Sequence, residues 1–118
     1  MIGWEAPLVN GGMMKQYDIY TTTGGTYSTK PRPAVVIQAV SFDDFDSLTV
    51  IPITTIEIES DFRIKIEPSD HNNLDKAGYI MIDKITTIKQ SNIGEYIGHI
   101  DEKYVDNIKS ALYKFIGI

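Results

Sequence analysis

The sequence predicts a mainly β domain that ends in one α-helix, with short strands curled into a small barrel and the helix packed against it. Three observations lead to this fold class. Short segments rich in Ile, Val, Tyr and Thr recur along the chain, separated by Gly, Pro and Asp. One of these segments alternates strictly between apolar and charged residues. Only the part after residue 100 repeats its apolar residues at helical spacing.

The composition is that of a single globular domain. The chain has 118 residues, of which 42% are hydrophobic, and it contains no cysteine. A chain of this length buries enough surface to fold without a metal or a disulfide. The missing cysteines exclude thiolate metal sites, and we expect no metal site and no cofactor. The lack of cysteine fits a cytoplasmic location, and no apolar run is long enough to cross a membrane.

The charge balance works against a nucleic-acid partner. Asp and Glu number 16 against 11 Lys and Arg, which gives a net charge of −5. Binding to phosphates draws on Lys and Arg, so a chain of this composition needs a local basic patch to hold a nucleic acid. Lys30, Lys84 and Lys89 are the residues that we expect to form such a patch.

The first residues differ from the rest of the chain. Residues 1–14 end in Gly11-Gly12-Met13-Met14 and show no strand or helix pattern. We interpret them as a flexible leader or a non-native extension, and we place the folded domain at residues 15–118. The alternative is an extra strand or a partner-binding arm anchored by Trp4.

The first half of the domain predicts three strands. Residues 16–22 are rich in Tyr, Ile and Thr, which favour strands. Residues 34–40 are an almost unbroken apolar run, as expected for a strand that is covered on both faces. Residues 48–53 form the third segment, in which Pro52 indicates an edge strand or a bulge because proline donates no ladder hydrogen bond.

The second half predicts two further strands. Residues 62–67 place Phe62, Ile64 and Ile66 on one face and charged residues on the other, the pattern of a half-solvated antiparallel strand. Residues 79–88 return to strand composition, and we expect Asp83 to lie on the polar face of that strand.

The C-terminal segment predicts an amphipathic helix. Asp101 is a suitable N-cap, and Val105, Ile108, Leu112 and Phe115 recur at helical spacing. Gly117 supplies the stop signal that commonly ends a helix.

Three segments in this order resemble the MazF/PemK toxins. The first is DIY at 18–20, followed by a glycine-containing loop and KPRPAVVI at 30–37; the second is VIPITT at 50–55; the third is GYIMIDKI at 78–85, continuing through KQSNIG at 89–94 into the final helix. The likeness covers residues 15–118. It implies an SH3-like β-barrel, a homodimer, and an endoribonuclease that is the toxin half of a type II toxin–antitoxin pair.

The resemblance implies that Arg32 and Thr54 are the catalytic residues. RNA carries its own nucleophile, the 2′-hydroxyl, so its cleavage needs no metal and leaves 2′,3′-cyclic phosphate ends. A guanidinium keeps its charge and presents a fork of donors to phosphate oxygens. Arg32 lies between Pro31 and Pro33, which restrict the backbone on both sides, and the hydroxyl of Thr54 is the expected second contact to the phosphate.

The same resemblance suggests residues that bind the single-stranded RNA. Thr55 is expected beside Thr54, and Lys30 before Arg32. Asp83 matches a position near the RNA groove in the family, and Lys84 stands where the family usually has glutamine. The Glu-Gln pair that the family tends to carry before its arginine is replaced here by Tyr27-Ser28, a difference that bears on sequence preference and on the identity of the general base.

Two other functions remain open at this level. CcdB-type gyrase poisons share the barrel, and the ending Phe115-Ile116-Gly117-Ile118 resembles theirs, although they lack the RPAVV segment in this form. A barrel that only binds a partner would suit the acidic charge and the missing glutamines. The two histidines, His71 and His99, are too far apart in sequence to form a recognisable metal-ligand motif.

Overall fold

The computed structural model describes residues 14–23, 30–39 and 46–118. The leader predicted at residues 1–14 lies outside this part of the chain except for Met14, which is buried in the core. The glycine loop and Tyr27-Ser28 also lie outside it. The described elements, in chain order, are β1 (Asp18–Thr22), β2 (Arg32–Val36), β3 (Ser47–Thr54), β4 (Arg63–Ile66), β5 (Gly78–Met81), β6 (Thr86–Lys89), β7 (Ile93–His99) and α1 (Glu102–Ile116).

The strands form one antiparallel sheet in the order β4-β5-β3-β2-β1-β7, and β6 pairs with β3 off this path. Within the described residues no ladder joins β4 to β7, so the sheet is open at its two ends rather than closed by hydrogen bonds into a complete barrel. The predicted fold class, a mainly β curled barrel with a C-terminal helix, is confirmed.

The third strand is the centre of the sheet and not an edge. One side of β3 pairs with β2, while its other side pairs first with β6, from Ser47 to Val50, and then with β5, at Ile53 and Thr54. The edge position predicted from Pro52 is therefore wrong. The physical reason for that prediction still applies at Pro52. On the side of β3 that faces β6 and β5, the ladder has a gap at Ile51 and Pro52, and a residue without an N–H fits there.

This sharing of β3 also corrects the strand predicted at residues 79–88. The chain leaves β5 after Met81, makes a 3-10 turn over Ile82–Lys84, and re-enters the sheet as β6. Asp83 therefore belongs to a turn and not to the polar face of a strand. The strand β7, which pairs with β1, was not predicted at all.

The two faces of the sheet carry separate apolar clusters. One face holds Tyr20, Ala34, Val36, Leu48 and Val50. The opposite face holds a larger cluster to which α1 contributes: Ile19, Val35, Ile51, Ile53, Ile66, Ile80, Ile82, Ile100, Ile108 and Ala111. The helix thus covers one face, while on the other face Arg32, at the start of β2, is exposed and Thr22 and Thr54 are half-buried.

The helix begins and ends where the sequence predicts. Gly117 adopts the left-handed conformation with φ of 79°, and its N–H donates to the carbonyl of Tyr113 at 2.9 Å. Asp101 occupies the N-cap position but its side chain does not cap the helix; it accepts a hydrogen bond from Asn72 instead. Of the described helices, none is long and apolar enough to cross a membrane.

Candidate nucleic-acid interface

Arg32 and Thr54 face each other across neighbouring strands. The β2–β3 ladder pairs Ala34 with Pro52 and Val36 with Val50, and continuing this register by two residues places Arg32 opposite Thr54. Directly opposed residues of an antiparallel pair share a face and have Cβ atoms about 4.5–5.5 Å apart. The register therefore brings the two predicted catalytic side chains together at one end of the sheet.

The guanidinium of Arg32 has no carboxylate partner within the described residues, and the residue is exposed. Its backbone is held in the sheet, since Thr22 is its partner on β1 and the Thr22 hydroxyl donates to the Arg32 carbonyl at 3.2 Å. A charged group that no counter-ion neutralises is available to a phosphate. The local structure thus fixes the main chain and leaves the charge exposed.

The hydroxyl of Thr54 is oriented by its own loop. Its Oγ1 accepts the N–H of Ile56 at 3.1 Å, an interaction that turns the chain as it leaves β3. A hydroxyl that accepts one hydrogen bond still has its own proton to donate. Thr54 can therefore donate to a phosphate oxygen without breaking the turn. Thr55 follows directly and is exposed.

These side chains belong to a row that crosses five strands. Cross-strand partners run from Thr22 to Arg32, from Thr54 to Tyr79, and from Tyr79 to Lys65, and the continued register joins Arg32 to Thr54. We call these five residues the cross-strand row. Four steps of about 4.7–4.9 Å make it roughly 19 Å long, enough to follow an extended single strand over more than one phosphate.

The row carries two cations and three hydroxyl-bearing residues, of which Tyr79 is buried, and it is bounded by acid. Lys65 contacts Glu67 at 3.5 Å with both side chains largely exposed, and such a surface pair contributes little. The negative charge of Glu67 is the largest cause that raises the pKa of Lys65, so its ammonium remains charged. The loop after β3 is exposed and carries Glu57 and Glu59, which disfavours phosphate on that side.

Tyr20 lies behind Arg32 on the same face, opposite Ala34. Its ring packs edge-on against Tyr96 at 5.6 Å between centroids, and its buried hydroxyl has no hydrogen-bond partner among the described residues. Burial is the main cause that raises the pKa of Tyr20 to about 12. This phenol therefore stays protonated at neutral pH and is part of the packed floor beneath the row.

Asp83 is paired with Arg63 and not with a residue of the cross-strand row. Its two carboxylate oxygens accept from Nε and Nη2 of Arg63 at 2.7 and 3.0 Å. The hydrogen bond from Arg63 is the largest cause that lowers the pKa of Asp83. Asp83 and Lys84 lie in the turn between β5 and β6, beside the middle of β3 and away from its Thr54 end. The structure therefore does not bring these two residues to the Arg32–Thr54 pair.

The sequence reasoning identified two of the five residues of the cross-strand row and did not single out Thr22, Lys65 or Tyr79. Lys65 was visible on the charged face of the alternating segment at 62–67, but nothing in one sequence says which strands become neighbours. Lys30, which was expected to bind RNA, is exposed and precedes Arg32 by two residues.

Solved structures of toxins share this fold. An endoribonuclease in complex with its cognate antitoxin from a mycobacterial species matches with a TM-score of 0.74 and 20% identity, covering 89% of this chain and 96% of the other. The Mycobacterium tuberculosis toxin MazF-mt6 matches with a TM-score of 0.73 and 19% identity over 86% and 97%. MazF from Deinococcus radiodurans gives 0.72 and 14% over 89% and 97%. The architecture is that of the MazF toxins.

The sequence comparisons identify the family directly. The model of the PemK-like, MazF-like toxins of type II toxin–antitoxin systems matches residues 15–116, and the chain belongs to this family. A protein of Mycolicibacterium smegmatis named "Probable endoribonuclease MazF" is 38% identical over 107 residues, which cover 89% of this chain and 98% of that protein.

Proposed function

We propose that this chain is a toxin that cleaves single-stranded RNA at the Arg32–Thr54 pair, without a metal ion. The observation that carries the proposal is an exposed guanidinium with no carboxylate partner in the described structure, placed by register across from an oriented hydroxyl. The membership of the MazF-like family and the name of the 38% identical relative support RNA as the substrate.

The reaction is an internal transesterification. The 2′-oxygen of the ribose loses its proton and bonds to the adjacent phosphorus, and the bond from phosphorus to the 5′-oxygen breaks. That oxygen takes up a proton, so the products are a 2′,3′-cyclic phosphate and a 5′-hydroxyl. Arg32 stabilises the negative charge that builds on the phosphate oxygens, and Thr54 donates a second hydrogen bond.

The remaining residues of the cross-strand row hold the chain of the substrate. Lys65 supplies a second positive charge, and Thr22 holds Arg32 in place, because its hydroxyl donates to the Arg32 carbonyl. We include the expected contacts of Thr55 and Lys30, which flank the pair, as substrate-binding residues. Asp83 and Lys84 act on this site only indirectly, since the turn that carries them lies beside the middle of β3.

We further propose a homodimer in the cytoplasm that is neutralised by a cognate antitoxin protein. Complexes of structural neighbours with antitoxins support this. A dimer predicts twice the chain mass of 13.3 kDa in native mass spectrometry. A mass of one chain across the micromolar range would contradict it.

A digest of long single-stranded RNA with EDTA present tests the proposal. We expect cleavage with 2′,3′-cyclic phosphate ends, at the same rate when Mg²⁺ replaces EDTA, and cleavage about 10²–10³-fold slower by Arg32→Ala. Intact RNA together with trapped gyrase–DNA complexes would support a gyrase poison instead. Intact RNA without gyrase trapping would contradict both toxin activities and support a barrel that only binds a partner.

A further inference from the structure

The two histidines of the chain meet at the surface, at the opposite end of β1 from the cross-strand row. The ring centroids of His71 and His99 are 5.2 Å apart with an angle of 46° between the planes, and both residues are exposed. His99 is the last residue of β7 and pairs with Asp18, the first residue of β1, whereas Thr22 of the row is its last residue.

The close approach is built into the backbone. The N–H of His99 donates to the carbonyl of His71 at 2.9 Å. A Cβ at Gly98 would collide with the same carbonyl oxygen of His71 and with the backbone of Asn72. The loop therefore reaches β7 only because residue 98 has no side chain.

The loop that carries His71 is fixed by a satisfied hydrogen-bond network. The side chain of Asn72 is fully buried; it accepts from the N–H groups of Ser69 and Leu74 and donates to the carbonyl of Glu67 and to Asp101. The Ser69 hydroxyl accepts the N–H of His71 at 3.2 Å, and Asn73 donates to the carbonyl of Ile97 at 2.8 Å. Both imidazoles are thus held on rigid backbone, which lowers the cost of ordering them around a ligand.

We propose that His71 and His99 together bind one divalent transition-metal ion of the class of Zn²⁺, Ni²⁺ or Cu²⁺. Two imidazoles bound to one ion at about 2.0–2.1 Å with a tetrahedral angle have ring centroids roughly 5 Å apart, which is the separation observed. Imidazole is a ligand of these ions, while Mg²⁺ and Ca²⁺ require oxygen ligands.

Neighbouring carboxylates favour a cation but do not complete its coordination shell. Asp18 is opposite His99, and one of its carboxylate oxygens accepts the N–H of Lys15 at 2.9 Å; Asp70 precedes His71. No group of three or more metal-ligating side chains occurs in the part of the chain that the structure describes. The ion accordingly takes two protein ligands and completes its coordination with water, so the site is accessible and exchangeable.

Zinc titration of the untagged full-length protein by isothermal calorimetry tests this site. We expect one Zn²⁺ per chain, no binding of Mg²⁺, and at least about a tenfold weaker affinity in either His71→Gln or His99→Gln, since losing a ligand costs no less than losing a supporting group. Asp70→Asn is the matched loop variant and keeps an affinity within about threefold of the original protein, since it leaves both imidazoles in place.

The shift of the imidazole proton resonances on adding Zn²⁺ supplies a second readout that does not depend on affinity. Both histidines move together in the original protein if they share one ion. Zinc binding that is unchanged in the double variant His71→Gln/His99→Gln, or no binding at millimolar Zn²⁺, would overturn the proposal. RNA cleavage by the double variant stays at the original rate, because the cross-strand row lies at the other end of β1.

Discussion

The chain has two arginines, and they sit in opposite circumstances. Arg32 is exposed, with no carboxylate partner in the described structure, at a strand end beside Thr54. Arg63, on β4, has a side chain that is 11% exposed and makes two hydrogen bonds to Asp83. A guanidinium thus connects a strand to a turn in one place and is left available to a ligand in the other.

The difference teaches how to read a charged residue in a small acidic protein. Exposed cations are common on this chain, and Arg32 differs from them because the sheet holds its backbone at a strand end. Pro31 and Pro33 on either side of Arg32 and the Thr22 partner hold its backbone, and none of them supplies a carboxylate. The guanidinium of Arg63 donates to Asp83 and stabilises the fold. Mutating each arginine therefore separates a structural role from a role in RNA cleavage.

Arg32→Ala gives the largest expected effect. Losing a donor that stabilises developing charge costs about 10²–10³-fold in cleavage rate, measured with a fluorescent single-stranded RNA. The free energy of unfolding changes by less than about 0.5 kcal/mol, because the side chain is exposed. Arg32→Lys keeps the charge but loses the fork of donors, and we expect a rate between those of the two proteins. Wild-type cleavage by folded Arg32→Ala would remove Arg32 from the mechanism.

Thr54→Val follows, with about a 10–100-fold loss of cleavage. A hydrogen bond to a charged group contributes about 1.5–3 kcal/mol, and valine keeps the shape of threonine without the hydroxyl. The control is Thr54→Ser, which keeps the hydroxyl both for the phosphate and for the Ile56 N–H. Cleavage by folded Thr54→Val at the original rate would show that the hydroxyl does not contribute, and an equal loss in Thr54→Ser would show that keeping the hydroxyl is not enough.

The sequence predicted the parts of this comparison that depend on local pattern. The alternation at 62–67 predicted β4, and the helical spacing with Gly117 predicted the helix to within a residue or two. Arg32 and Thr54 were chosen by resemblance, and their pairing across β2 and β3 was not visible until the register was known.

The sequence failed where one strand serves two partners. Residues 79–88 look like one strand because both β5 and β6 are rich in strand-forming residues, and the turn at Ile82–Lys84 exists only because each pairs with a different half of β3. For the same reason Asp83 was expected on a strand face, and its partner Arg63 was missed. Long-range pairing, not residue composition, decides these features.

Arg63→Ala is expected to affect stability and not chemistry. It leaves Asp83 without its partner in a half-buried turn, which costs about 1–3 kcal/mol of unfolding free energy, measured by urea denaturation. Cleavage at a temperature where the variant is folded stays within about twofold of the original rate. Arg63→Lys restores part of the loss, because an ammonium makes one of the two hydrogen bonds. A large loss of cleavage in the folded variant would show that the Arg63–Asp83 pair reaches the site.

The smallest expected effect is the pH dependence of the stability that the Arg63–Asp83 ion pair contributes. The pKa of Asp83 is lower in the folded protein than its ordinary value, because of the hydrogen bond from Arg63. A lowered pKa adds stability that is fully present above the unfolded value of about 3.9 and is lost as pH falls below it. The difference in unfolding free energy between the original protein and Asp83→Asn should therefore be constant from pH 7 to pH 5 and shrink below about pH 4. Asp70→Asn, at an exposed position without an ion pair in the described structure, is the matched control. A gap for Asp83→Asn that persists unchanged at pH 3 would mean that its carboxylate is not what Arg63 stabilises.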